Sequence, residues 1–331
     1  MSIASTDIVW RKAAVNDDTG GNGGRMVSTS IPSDVKNNIW PDVRQAERLA
    51  GSTKYRKVFI HIANSQSLQL IAPKFFVETN TPGDDSVTFF PGTQTDTQSG
   101  ITGAERQYGC GRLNADAIAT DTSIDVLTED AALNYIRVGD SIRISDKTTV
   151  DAVSGNEQIV TVTAVSYTGD VASVDFTEPL DYGFAALTTK VASLYEPADI
   201  AATATAPVVT SVAGTYDNGT SPIVPSGIGT VEQDWTLTFT SATEFGVVGN
   251  TLGSVGAGVI SSNFVPAHPV LFSPYFTIPA AAWGGTFDAG DTITFTTHPA
   301  SVPLWYKRVV PAGASSLSGN KAIIAVEGES E

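Results

Sequence analysis

The chain has 331 residues, a formal charge of −16, a sequence pI near 4.5 and 41% hydrophobic residues, so it has enough apolar content for real cores. Only 16% of residues are charged, and 30 Gly, 17 Pro and 39 Thr favour strands and turns over helices. Strong acidity argues against general nucleic-acid binding or attraction to anionic membranes. A single cysteine, Cys110, excludes an internal disulfide and a Cys-based zinc site.

The three histidines, His61, His268 and His298, are far apart, and no segment approaches the ~18 apolar residues that span a bilayer. The start, Met-Ser-Ile-Ala-Ser-Thr-Asp, has no basic region followed by an apolar run. No signal peptide is therefore expected, and the chain is expected to stay inside the cell that makes it or to leave by lysis or a dedicated machine.

Residues 1–57 carry nine Lys/Arg against six acids, a local balance of +3 that opposes the whole. Asn16 to Arg25 is Gly- and Asp-rich and reads as a flexible loop. Asp42–Gly51 has an acidic start and a Gly stop, the marks of one or two helical turns. Strands are expected from Tyr55 onward. In Tyr55–Ile62, Val58, Ile60 and Ile62 point one way, and Lys57, Phe59 and His61 the other. Further strands are read at Leu68–Ile71, Lys74–Thr79 and Ser86–Phe90, with Asn80–Asp85 as a turn between the last two. This is a sandwich-like block, and the polar segment 92–108 closes it.

A second block, 109–196, reads as a small barrel or compact sheet. Its strands are Ser123–Leu127, Ser141–Ser145, Gln158–Val165, Val171–Phe176 and Thr189–Tyr195. The third block, 197–299, is acidic. Between Val191 and Tyr306, 116 residues contain no Lys or Arg and eight acids. Trp235–Thr240 and Thr292–Thr296 alternate without a fault and read as strands. Prolines at 266, 269, 274 and 279 forbid a helix there. Gly139–Ser145 and Gly290–Thr296 resemble each other and read as a recurrent strand entry.

The tail holds two strands, Leu304–Val310 and Lys321–Val326, read as a hairpin. An isolated hairpin is marginal in water, so it is expected to return to the first block. The chain is therefore expected to be all-β, with several β-sandwich or small-barrel domains. These are residues 1–108 with 300–331, then 109–196 and 197–299 as insertions.

No motif for chemistry stands out. There is no Gly-x-Ser-x-Gly elbow, phosphate loop or His-Glu-x-x-His pair. His268 and His298 precede prolines in turns, and His61 lies on a strand, so structural roles are expected for all three. Asp84-Asp85, Asp17-Asp18 and Glu129-Asp130 read as solvated turns rather than calcium loops. Cys110 lacks an adjacent base or cation cluster and reads as inert. Trp235, Trp283 and Trp305 read as core rather than as a sugar platform. Asn218-Gly-Thr220 matches a glycosylation acceptor with no visible secretory route. No enzyme activity, cofactor or metal is expected.

Two patches resemble structural proteins of tailed-bacteriophage virions. One runs from Trp40 to Ile60 with Asn80–Ser86, where Asp42-Val-Arg-Gln-Ala-Glu-Arg-Leu-Ala-Gly51 leads into Tyr55-Arg-Lys-Val-Phe-Ile60. The other comprises Trp235–Thr240, Pro274–Ile278, Trp283–Thr297 and Pro303–Ala314. The resemblance implies a non-enzymatic subunit of neck, tail or baseplate. Such a subunit would be located in the virion, with copies of itself in a symmetric ring and other virion proteins as partners, and would contact neither membrane nor nucleic acid. It would act through protein–protein contacts, and Arg11, Lys12 and Arg25 around the Asn16–Gly24 loop are the expected assembly contacts. A carbohydrate-binding adhesin, also β-rich and acidic, is the competing class, and a depolymerase the third.

Overall fold

A computed structural model describes residues 2–128 and 134–330; Glu129-Asp130 lies outside the described residues. The chain is all-β; among the described residues there is one short α-helix, Gln45–Ala50, closed by Gly51 at φ 78°. The side chain of Glu47 accepts the amide of Arg44 at 3.0 Å, which fixes the first turn.

Five strands open the chain: β1 (Ile8–Val15), β2 (Gly23–Ser30), β3 (Ser52–Ile62), β4 (Leu70–Thr79) and β5 (Ser86–Pro91). The first two precede Tyr55, where strands were expected to begin. The single strand β4 replaces the expected pair at Leu68–Ile71 and Lys74–Thr79. Pro73 suggests a break, but Ala72 takes φ 46° and the ladder slips register there instead of ending.

The barrel strands are β6 (Cys110–Leu113), β7 (Ser123–Leu127), β8 (Ser141–Ser145), β9 (Glu157–Thr168), β10 (Val171–Phe176) and β11 (Lys190–Ser193). They close in the order β10-β7-β6-β11-β8-β9. Alternate side chains such as Ile124, Val126, Val174 and Phe176 fill the interior, as the period of a strand requires.

The acidic block holds β12 (Thr203–Ala204), β13 (Val208–Thr210), β14 (Thr215–Tyr216), β15 (Val224–Pro225), β16 (Gln233–Phe239), β17 (Glu244–Gly249), β18 (Gly253–Val259), β19 (Phe276–Thr277), β20 (Trp283–Gly284) and β21 (Thr292–His298). Its main sheet runs β12-β21-β16-β17-β18, with β13 also against β21. In β16, Trp235, Leu237 and Phe239 face inward, while Asp234, Thr236 and Thr238 face water. The core is aromatic: Phe239 stacks on Phe287 with centroids 3.9 Å apart, and Trp235 meets Phe276 edge-on at 4.9 Å.

The tail contributes β22 (Ser301–Val310) and β23 (Ile323–Ser330). They do not pair with each other, so the expected hairpin is corrected. β22 inserts between β3 and β5, completing the sheet β2-β1-β3-β22-β5, and β23 pairs with β4 in a second sheet. Both tail strands thus belong with the N-terminal strands, and one cluster (Val58, Ile60, Phe75, Phe89, Leu304, Tyr306 and Ala325 among others) fills the space between the sheets.

The opposite face of β3 is buried as well. Lys57, Phe59 and His61 are all under 4% exposed, as are Trp305 and Phe90 beside them. Segments 17–24 and 92–100 and a loop of the acidic block cover this face, as their hydrogen bonds below record.

Candidate functional site

Several charged side chains that a segment-by-segment reading leaves in solvent are turned inward, among them Arg11, Arg56, Lys57, Glu78 and Arg143. Arg11 is 5% exposed. Its Nε donates to His61 Nδ1 at 2.8 Å and its Nη1 to the carbonyl of Ser28. Arg25 donates through Nε to the carbonyl of Glu232 in the acidic block, at 3.1 Å. Lys12 sits half-buried on β1, opposite Val58. The three expected assembly contacts are therefore not one exposed patch. Arg11 is internal and Arg25 already has an intramolecular acceptor.

The expected flexible loop at 16–24 is also fixed in place. Asp18 pairs with Lys54 at 2.9 Å and Arg56 at 2.6 Å, and Lys54 also meets Glu47. Burial works against ionised Asp18 and Glu47, but these cations prevail and hold both carboxyls below the usual range. Asn22 is fully buried and donates to the Tyr55 carbonyl and to Gln98, each at 2.9 Å. Asp17 accepts the Thr19 amide at 2.8 Å and Asp18 stays exposed, as expected of a solvated turn, while Asp18 also anchors the loop to Lys54 and Arg56.

Lys57 lies deepest. Its Nζ donates to the carbonyls of Gly24 (2.8 Å) and Asp96 (3.1 Å) and pairs with the Asp96 carboxylate at 2.6 Å. Asp96 also accepts the Trp305 indole N–H at 2.8 Å. Burial pulls the Lys57 ammonium below its ordinary value, and Asp96 opposes that. Asp96 has no sequence signal beyond a polar loop, and was missed for that reason.

The block junctions use the same chemistry. At the barrel, Glu78 is 2% exposed and pairs with Lys190 at 3.2 Å. Buried Arg143 pairs with Glu157 and lies 4.9 Å over the Phe76 ring. At the acidic block, His61 faces the carbonyl of Gly227 through Nε2 at 2.9 Å, and the amide of Gly227 donates to Ser67 Oγ at 2.9 Å. Because Arg11 donates to Nδ1, His61 must be neutral with its proton on Nε2, which donates to Gly227. Burial first, then the Arg11 charge, lower its pKa from 6.5 to about 4.

His268 organises a turn. Its Nδ1 accepts the amides of Val270 (3.1 Å) and Leu271 (3.2 Å), and its ring packs on Tyr275. The turn presents Phe272, 88% exposed and held at φ 51°, with Val265 and Val270 also exposed. His298 meets Glu232 at 2.8 Å.

Trp235 and Trp305 are core, as expected, and Trp283 packs against the third core. Cys110 is buried. Asp84 is exposed, as expected of a solvated turn, and accepts the Ser315 amide at 2.7 Å, whereas Asp85 is buried against that expectation and accepts Asn320, so the pair fastens the tail. A cleft of about 450 Å³ beside them is lined by Asp84, Asp85, Arg112, Thr128 and Asp170, with no nucleophile–base pair among these residues. No cluster of three or more potential metal ligands occurs among the described residues. The Gly139 and Gly290 segments are the same strand entry. Each glycine has positive φ, and Asp140 and Asp291 accept the amide three residues back rather than one ahead.

No family model, curated protein or solved structure matches the chain.

Proposed function

We propose that this chain is a non-enzymatic structural subunit of a tailed-bacteriophage particle, in neck, tail or baseplate, working through contacts with copies of itself and with other virion proteins. The supporting observation is Phe272. A large aromatic side chain stands 88% exposed on a backbone at φ 51°, where residues other than glycine are disfavoured. The Phe272 amide donates to the His268 carbonyl at 3.0 Å, which closes the turn, but the ring is left in solvent, where a neighbouring subunit would cover it. The rest of the architecture suits the role. The barrel is tied to the sandwich by ion pairs such as Glu78–Lys190, and the acidic block by hydrogen bonds from Arg25 and His61 to its backbone.

The test is negative-stain imaging and sedimentation of the purified protein, alone and mixed with particle components, for wild type and Phe272→Ser. Rings or incorporation by wild type, lost in the variant with folding intact, are expected. Equal assembly by both refutes the role of Phe272. A monomer that ignores particle components but is retained on a glycan array favours the adhesin reading.

A further inference from the structure

An open sheet has edges, and a chain that is to stay single covers, shortens or charges them. Most edges here are treated that way. Tyr195 and Ile200 bridge to the outer side of β4, and Tyr108 to that of β5. β2 carries Arg25, and β23 carries Glu327 and Glu329. β12 and β13 are two and three residues long. β18 (Gly253–Val259) has none of these protections. Its strand neighbour is β17 alone, it holds no charge and no proline, and it is largely exposed. Residues 245–287 around it contain no Asp, Glu, Lys or Arg, in a chain of net charge −16. We propose that the free edge of β18 pairs antiparallel with the same edge of a second copy of this chain, across a two-fold axis at Ala257. This deepens the reading of the chain as an assembling subunit and rests on it.

The ladder with β17 fixes which groups are free. The Ile260 amide donates to the Thr243 carbonyl, and Val259 lies opposite Glu244, so the amide and carbonyl of Val259 turn away from β17. Ala257, opposite Gly246, repeats that orientation. Gly256, opposite Val247, turns its amide to β17, which sends the Val255 carbonyl to the free side of the same peptide plane. The bulge at Val255–Gly256, where the register with β17 slips, leaves the alternation intact from Gly256 onward. The edge therefore presents the Val255 carbonyl, then the amide and carbonyl of Ala257 and of Val259. Among the described residues, the Ser262 amide alone reaches any of these, meeting the Val259 carbonyl at 3.3 Å.

A row of alternating acceptors and donors takes a strand, and the sequence says which one. Val255-Gly256-Ala257-Gly258-Val259 reads the same in both directions. Two antiparallel copies centred on Ala257 thus set Ala257 on Ala257, Gly256 on Gly258 and Val255 on Val259, the self-complementarity that a two-fold contact requires. In that register each Ala257 amide donates to the other copy's Ala257 carbonyl, and each Val259 amide to the other copy's Val255 carbonyl. Every bond is made from a group left free. No side chain stands at the Gly256–Gly258 pairs, where the two strands come closest. Charge favours this contact over others. Two copies at −16 repel wherever acids face acids, but this edge carries none, and Glu244 is set one strand back on β17.

The experiment is sedimentation of the full chain over a range of concentration, with amide hydrogen exchange at the two ends of that range. A reversible dimer is expected, with protection in peptides covering 254–260 gained only at high concentration. Ala257→Pro removes an amide that faces away from β17, so it spares the existing ladder. It should raise the dimer Kd about tenfold, as a lost pair of hydrogen bonds implies. Ala257→Lys and Ala257→Glu each set like charges face to face and should also dissociate. An equal mixture of the two should dimerise again, because residue 257 meets itself only in this register. Circular dichroism checks that each variant is folded; if Ala257→Pro is not, the Lys and Glu variants decide. A wild type that is monomeric throughout, a dimer indifferent to Ala257→Pro, or a mixture no tighter than its parts overturns the pairing. Protection of 254–260 by another particle protein, while the chain stays monomeric, overturns it in favour of a foreign strand. In each case a wild type that still enters particles keeps the reading as a virion subunit, and one that neither associates nor enters them loses both.

Discussion

Trp305 offers the sharpest test of the unexpected cover on the second face of the sandwich sheet. Its indole is fully buried, donates to Asp96 at 2.8 Å, and lies close to two backbones that leave no room for a side chain. A Cβ at Gly23 would lie 2.7 Å from the ring, and one at Gly92 would lie 2.8 Å from it. Trp305→Phe removes a hydrogen bond to a charged acceptor, worth about 1.5–3 kcal/mol. The atoms lost with the smaller ring leave a void, adding about 1 kcal/mol at ~24 cal/mol per Å³. The expected loss is about 3 kcal/mol. Urea unfolding followed by circular dichroism should show a lower midpoint with an unchanged slope. Gly92→Ala should cost about 1–3 kcal/mol by overpacking the same contact. Gly100→Ala, with nothing within 4 Å of the new methyl, should stay within about 0.5 kcal/mol. A loss below about 0.5 kcal/mol for Trp305→Phe would mean that the 92–100 segment is not bound to this face.

Leu237→Ala, at a fully buried position of β16, should destabilise the acidic block by about 2–5 kcal/mol, read as earlier loss of exchange protection in β16 and β21. Phe272→Gly should relieve the positive-φ strain and stabilise the monomer by up to about 1 kcal/mol in thermal melts, while weakening association. Glu78→Gln leaves Lys190 without its counter-charge and should cost about 2 kcal/mol or more in urea. Glu78→Leu with Lys190→Met should cost much less than Glu78→Gln alone, because an apolar pair then replaces the buried ion pair at little cost.

The elements legible in the sequence are those with one wet face. β16 and β21 alternate Thr with Trp, Leu, Phe and Ile because one side of their sheet meets water, and the barrel strands alternate for the same reason. β3 shows the same alternation, but its second face is covered, so Lys57 and His61 are buried in spite of their polarity. Their partners, Asp96 and Gly227, lie 39 and 166 residues away, a distance that no local pattern encodes. β1 escaped notice because Arg11 and Lys12 interrupt its apolar run, and β2 because it opens on two glycines. The tail strands were legible as strands. Their separate destinations were not, since the link Pro311–Asn320 is turn-rich whether or not its flanks pair.

The inward turn of these charges changes what salt should do to association. Counted along the sequence, residues 1–57 carry +3 against the acidic block, which suggests attraction between copies that salt would screen. In the fold, Arg11, Arg56 and Lys57 are buried, and Lys54 and Arg56 answer Asp18 and Glu47 within the same block. What one copy offers another is then mainly the acidic exterior of a chain with net charge −16, together with exposed apolar side chains such as Phe272. Two such surfaces repel at long range and attract only on contact. Raising ionic strength from 0.1 M to 1 M shortens the Debye length from ~10 Å to ~3 Å and removes mostly the repulsion. Self-association measured by sedimentation should therefore strengthen with salt. Weakening with salt would show instead that exposed cations such as Lys36 or Lys321 leave their own carboxylates, Asp42 and Asp34, for those of a neighbour.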